Sequence, residues 1–348
     1  VENTGRVFHP DFPNISLSVD VGNVEKNPDN TWRWYLNPAS LALGFHPVTV
    51  TATDGNGKSS EITFNLQIVD NPDGERMAQA LWWLVRQQRN DGSWGGLPFY
   101  PDYLHLDEPV TSSGWALMTL CQHAYVNGFL PFNEDYPYVQ YIQSGLDYLF
   151  SMADQPLYDT DGTHLFVYEF TESADWRELG TAAALLGICA TETPNRIIDY
   201  PDNPLVDGLS YLEFAQKIVN HLYHFQIPDE NNDYYGGWDQ WDFHTGHIVS
   251  ALGFAETFGC SMPGDLKVKL NTFVDHRNSS VYSSWPLQDR MTNAANLMME
   301  MAFLGDDYST SSRAQSALQF IEGTWPIPRP DPDPDNGFDG QWTDKNLE

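Results

Sequence analysis

Basic residues are scarce in this chain of 348 residues: 17 Lys and Arg stand against 48 Asp and Glu, for a formal net charge of -31. A field of that sign repels phosphate backbones and anionic headgroups, which excludes nucleic acid as a partner. Cations, neutral glycans and other protein subunits remain. Long apolar runs are missing as well. None reaches the about 18 residues that a membrane span needs, so no membrane insertion is expected. Cysteine is nearly absent, and Cys121, Cys189 and Cys260 are too few and odd in number for a disulfide framework. Each lies in or just after an apolar helical run and reads as a buried free thiol. Two Asn-x-Ser/Thr sequons, at Asn14 and Asn278, permit glycosylation.

What is present divides into a β-patterned segment and a helical one. Ile15–Val21 alternates apolar and polar residues as a half-buried strand does, and Thr31–Leu36 repeats the pattern with Trp32, Trp34 and Leu36 on one face. Val48–Thr53 and Glu61–Val69 flank the turn Asp54-Gly55-Asn56-Gly57 and read as a hairpin. Strands at this spacing without helices point to a β-sandwich over residues 1–70, short enough to leave an edge open. Asn71-Pro72-Asp73-Gly74 strings together turn formers, so residues 71–75 read as a linker to a second domain, 76–348.

The second domain is organised around Gln88-Arg89-Asn90-Asp91-Gly92-Ser93-Trp94, which closes the helical run Met77–Arg89 with an Asp-Gly turn and a large anchor. Looser copies of this ending occur at Gly236-Gly237-Trp238 and Gly340-Gln341-Trp342. Between them, two kinds of helix alternate. Met77–Arg89, Tyr138–Ala153, Tyr211–Phe225, Leu266–Asp275 and Arg313–Ile321 are amphipathic; Thr111–Val126, Gly180–Ala190, His247–Phe258 and Thr292–Leu304 are apolar nearly all round. An all-apolar helix must be buried on every side. The alternation therefore predicts an inner ring of helices wrapped by an outer one, an α/α toroid. An open solenoid of hairpins is the other arrangement, and the poverty of polar residues on the inner helices favours the closed one.

Residues 1–70 resemble a bacterial extracellular immunoglobulin-like domain of the cadherin-like kind, on Asp29-Asn30-Thr31-Trp32-Arg33-Trp34 and on Val48–Gly57. That resemblance implies an extracellular or cell-surface protein and carries no chemistry. Residues 75–348 resemble the α/α-toroid superfamily of terpenoid cyclases and protein prenyltransferases, on Gln88–Trp94 and the two later Gly-x-Trp endings. The cyclases of that superfamily protonate their substrate with an Asp-x-Asp-Asp motif. The nearest sequence here, Asp159-Thr160-Asp161-Gly162, has the composition of a turn. The prenyltransferases hold zinc with Asp, Cys and His; Asp242, His244 and His247 offer part of such a set, but the later His is missing from Leu287–Ala302. A helix-start Asp is otherwise an N-cap.

In a closed ring the starts of the inner helices share one mouth. Trp115, Trp176, Glu178, Trp238, Asp242, His244 and His247 would line it, a mixture of aromatic faces and ionisable groups suited to a glycan or a cation. The tail from Pro326 to Gly337 alternates Pro with other residues and reads as extended. Its Asp331, Asp333 and Asp335 resemble the start of a calcium loop, but Asn336 stands where Gly is needed. Without a complete catalytic motif the expected function is a non-catalytic extracellular structural protein, a fibre subunit that self-associates head to tail and is completed by neighbouring copies. The alternative is an enzyme or binding protein acting on a glycan or isoprenoid-like ligand.

Overall fold

A computed structural model describes residues 2–7, 14–28, 31–37, 41–68, 72–95, 109–156, 158–167, 177–238, 242–278 and 287–324. They fall into two compact units, Val1–Arg86 and Gln87–Glu348.

The first unit holds six strands: β1 (Glu2–Arg6), β2 (Ser16–Val19), β3 (Asn23–Lys26), β4 (Thr31–Tyr35), β5 (Gly44–Thr53) and β6 (Ser59–Ile68). They form two antiparallel sheets, ordered β1-β4-β3 and β2-β5-β6. Alternation sets which side chains meet. Trp32 and Trp34 of the first sheet and Val48, Val50 and Leu66 of the second form one core, with Leu17, Val19, Val24 and Phe64 packed around it. Trp34 is fully buried, its ring edge-on to Phe64 at 5.1 Å, and its indole N–H donates to the Val21 carbonyl at 2.6 Å. That bond lets an amphipathic ring sit in a dry core. Pro47 interrupts β5 only where β2 no longer pairs with it, since β2 spans Val50–Thr53; a central strand could not spare that N–H.

A helix, α1 (Pro72–Arg86), follows. It starts inside the tetrapeptide read above as a linker. Proline at a first helical turn gives up an N–H that would lack an intrahelical partner anyway, and its fixed φ is already helical.

The second unit corrects the expected all-α toroid. Its helices are α2 (Pro109–Val126), α3 (Val139–Ser151), α4 (Arg177–Cys189), α5 (Tyr211–Phe225), α6 (Asp242–Phe258), α7 (Leu266–Asn278), α8 (Leu287–Leu304) and α9 (Ser312–Thr324), close to where periodicity places them. A two-stranded ladder, β7 (Ala153–Asp154) with β8 (Phe166–Val167), is inserted before α4, so the unit is mixed rather than all-α. Nor does the row of apolar helices close among the described residues. α2 packs on α4, α4 on α6 and α6 on α8, and α8 then packs on α7 and α9 rather than on α2. Burial follows this order. Every residue of α4 from Leu179 is buried, whereas α2 leaves Thr119 exposed and α8 leaves Met299 and Ala302 exposed. In a ring the inner helices would be equivalent; here α4, with a neighbour on each side, is buried from Leu179 onward while the end members α2 and α8 are not. The approach of α2 to α4 depends on small residues, since a Cβ on Gly114 would lie 2.1 Å from the Ala183 carbonyl oxygen.

Two of the Gly-x-Trp endings share one geometry. The Gln88 amide donates to the carbonyls of Gly92 and Tyr141, both at 2.9 Å, and so ties the turn to α3. The Gln226 amide does the same to Gly236 at 2.8 Å and Leu266 at 3.0 Å, tying its turn to α7. Gly92 and Gly236 have φ of 90° and 87°, and each lies directly against a helix carbonyl, of Ser144 and Lys269. Trp94 packs across Gly145 of α3, and Trp238 donates through Nε1 to Leu222 at 2.6 Å. Each entry to an apolar helix is then pinned by a hydroxyl near that helix's start. Trp94 N–H donates to Ser113 Oγ, Val167 N–H to Thr181 Oγ1 and Trp238 N–H to Thr245 Oγ1. Gly340-Gln341-Trp342 lies outside the described residues.

Candidate functional site

A concavity with an apolar floor lies in the first unit, along the side where β1 ends one sheet and β6 ends the other. Among the described residues β1 pairs only with β4 and β6 only with β5, so both present unpaired strand edges. The opposite side is turned by the short connection from β2 to β3, which belong to different sheets. The resulting cleft has a volume of about 880 Å³, with Trp32, Val50, Ile62 and Phe64 among its lining.

Sequence explains why it stays unfilled. Residues opposite one another across a ladder share a face, so the β1 residues facing the core are those paired with Trp34 and Trp32, namely Asn3 and Gly5. Gly5 cannot be larger: a Cβ there would lie 2.5 Å from the Trp32 ring. Across the cleft, Val50 and Ile62 are register partners on the inner face of the second sheet. Val50 is 3% exposed and Ile62 56% exposed, one strand further out. An inward-facing isoleucine thus stands in solvent because the facing strand offers no side chain to cover it. Arg6 and Lys58 also line the cleft, and neither side chain has an ion-pair partner among the described residues.

The residues expected to share a mouth are only partly brought together. Trp115 of α2 and His247 of α6 meet edge to face at 5.2 Å. His247 is pushed down to about 4, by burial first and by neighbouring His244 second, so it is neutral at pH 7. His244 is buried, on the turn of α6 before His247. Trp238 is a buried anchor of its turn rather than a ligand platform. Glu178 is half-buried in the first turn of α4, next to Arg177, whose guanidinium lies 5.7 Å from the Phe166 ring centre. Asp242 opens α6, but its side chain lies outside the described residues, as do Trp176 and the acidic tail residues Asp331, Asp333 and Asp335. No grouping of His244 or His247 with metal-ligand geometry occurs among the described residues. Asn14 is exposed just before β2, and Asn278 is half-buried at the last position of α7. Cys121, Cys189 and Cys260 are all buried free thiols; burial pushes Cys260 up to about 11 and the other two higher.

One cluster includes Asp159 and Asp161, which the sequence reading took only as a turn, together with His164, which it did not single out. Asp159, Asp161 and His164 bring three possible ligand atoms within 4.8 Å of one another, a spacing a divalent cation would fit. Around them Tyr158 stacks on His224 at 4.0 Å and shares a hydrogen bond with His221 Nδ1 at 2.9 Å. Burial pushes His221 down to about 3, with His164, His224 and Arg177 adding to the effect. The carboxylate of Asp159 is already engaged, accepting from the backbone N–H of Thr163 at 3.2 Å and of His164 at 3.0 Å. Burial alone would raise its pKa, and these donors hold it well below the usual carboxylate range. From α5, Lys217 donates to the Gly162 carbonyl and Asn220 to that of Thr163 at 2.9 Å. The cluster therefore organises its own loop. The histidines come from elements far apart in the chain, which is why no local motif announced them.

Comparison with known proteins finds no family and no curated protein that matches this sequence.

Proposed function

We propose that this chain is a non-catalytic structural protein of the cell surface or extracellular space, which assembles by accepting an extended segment of another copy along the open edge of its paired sheets. The observation that carries the reading is Ile62, a core-facing side chain left more than half exposed above an apolar cleft between two unpaired strand edges. Natural sheets blunt such edges with charge, proline or a cover. The inner face of β6 instead runs Ile62, Phe64, Leu66, Ile68 without interruption. An added strand would gain main-chain hydrogen bonds from the edge and specificity from alternate side chains placed on the cleft floor. An edge that accepts a different segment of another copy makes a heterologous contact, which propagates unless its rotation closes a ring.

Sedimentation velocity and negative-stain microscopy of the purified chain over a micromolar concentration series test this. The parent chain should form oligomers or fibres, and Ile62→Lys should remain monomeric with an unchanged circular-dichroism spectrum, because a charge in the cleft blocks the added strand without disturbing a buried contact. A parent chain that stays monomeric, or an Ile62→Lys variant that assembles as the parent does, refutes the reading.

A further inference from the structure

We infer that the segment received by the cleft is Gly337–Asp344 from the tail of a second copy, an inference that rests on the assembly reading above. In Gly337-Phe338-Asp339-Gly340-Gln341-Trp342-Thr343-Asp344, the residues Phe338, Gly340 and Trp342 alternate with Asp339, Gln341 and Thr343. That is the period of a strand with one apolar and one polar face. The Gly-x-Trp within it differs in sequence from the two earlier ones. Gln88 and Gln226 precede their glycines and reach forward to the glycine carbonyl, whereas Gln341 stands between Gly340 and Trp342.

The cleft and the segment are complementary in two respects. The cleft lacks large side chains on its β1 wall, where Asn3 and Gly5 face inward, and the segment supplies two aromatic rings, each able to bury about 150–250 Å². The segment is short enough for the edge: eight residues extend about 26 Å, and the ten residues of β6 about 33 Å. Prolines alternate with other residues from Pro326 to Pro334, between α9 and this segment, a composition that favours an extended chain.

Complementation tests the pairing on the full-length chain. One variant, Ile62→Lys, has a blocked cleft and an intact tail; the other, Phe338→Ser with Trp342→Ser, has an intact cleft and a disabled tail. Each alone should be monomeric, and their mixture should give a complex of one of each that stops there. A synthetic peptide of residues 335–346 should cap parent oligomers, and the same peptide with both aromatics changed to Ser should bind at least about tenfold more weakly. If the tail variant assembles like the parent while Ile62→Lys does not, the tail assignment is overturned and the edge reading survives. Failure of the mixed variants to pair, when the parent does assemble, also overturns it. If the parent is monomeric and hydrogen exchange shows β6 protected by its own tail, both the second-copy assignment and the assembly reading fall.

Discussion

Adding one methyl group at Gly236 should destabilise the helical unit far more than adding one at Gly208, although both glycines have nearly the same backbone angle. Gly208 has φ of 80° and a Cβ there would meet nothing within 4 Å. Gly208→Ala therefore measures the left-handed conformation alone, about 1–2 kcal/mol. Gly236 has φ of 87°, and its Cβ would stand 2.0 Å from the Lys269 carbonyl oxygen and 2.4 Å from the carbonyl carbon. Both are backbone atoms of α7, so no rotamer change relieves the overlap; the turn and the helix must separate by more than 1 Å, a displacement of the overpacking kind that costs about 1–3 kcal/mol. The same separation stretches the paired donations of Gln226 to Gly236 and Leu266, each worth about 1 kcal/mol. Gly236→Ala should thus lose about 3–5 kcal/mol, some 2 kcal/mol or more beyond Gly208→Ala. Denaturant unfolding followed at the helical circular-dichroism band reads both, with the midpoint moving and the slope constant. Equal losses at the two positions would show that the turn does not bear on α7. Gly92→Ala repeats the test on α3, where the Cβ would lie 2.1 Å from the Ser144 oxygen.

Two further outcomes follow from the helical unit. His221 is held at about 3 in the folded chain against an ordinary 6.5, so between those values the unfolded chain binds the extra proton. Its contribution to stability is complete above about pH 6.5 and lost as pH falls towards 3, at up to about 1.4 kcal/mol per pH unit. The stability gap between the parent and His221→Gln should therefore shrink from pH 7 to pH 5 in parallel denaturant titrations, and a gap independent of pH would contradict the burial of a neutral imidazole. At the start of α5, Ser210 and Glu213 form a reciprocal capping box, with Ser210 N–H donating to Glu213 at 2.7 Å and Glu213 N–H to Ser210 Oγ at 3.2 Å. Ser210→Ala should cost about 1 kcal/mol by the same assay, and Ser210→Asn far less.

Periodicity made most elements legible. The 3.6-residue pattern located the helices of the second unit, and alternation located the β5–β6 hairpin with its Asp-Gly-Asn-Gly turn. The short strands were not legible. β1 reads Glu-Asn-Thr-Gly-Arg, with no apolar residue, because its inward positions exist to make room for Trp32 and not to fill a core. β3 carries one apolar residue in four, and β7 and β8 are two residues each, below the length at which any pattern can show. The ring was misread because complete burial of a helix requires neighbours on both sides, which a row supplies to its central member as well as a ring does. The distinguishing signal was present but faint: α8 contains Asn293, Asn296 and Glu300, all buried, whereas the fully enclosed stretch of α4 from Leu179 holds only Thr181 as a polar residue. Trp115 and His247, named together among the residues of a mouth, do touch.

An open row and an open sheet edge make different demands on the surface, and the assembly proposed above rests on the edge. Each helix of a row contacts only its neighbours, so its ends need only a polar outer face to remain soluble. Large apolar residues are also exposed on the helical unit, among them Val126, Leu130, Ile197 and Val268. Singly exposed residues of this kind are normal on any soluble surface. Around the β1–β6 cleft, by contrast, exposure of Ile62 coincides with strand edges that are unpaired among the described residues, with Trp32 and Phe64 lining the space between. Main-chain donors and an apolar floor are together what an extended, aromatic-bearing segment requires. A small organic ligand would make little use of a row of backbone groups, and a folded partner could not enter between the sheets.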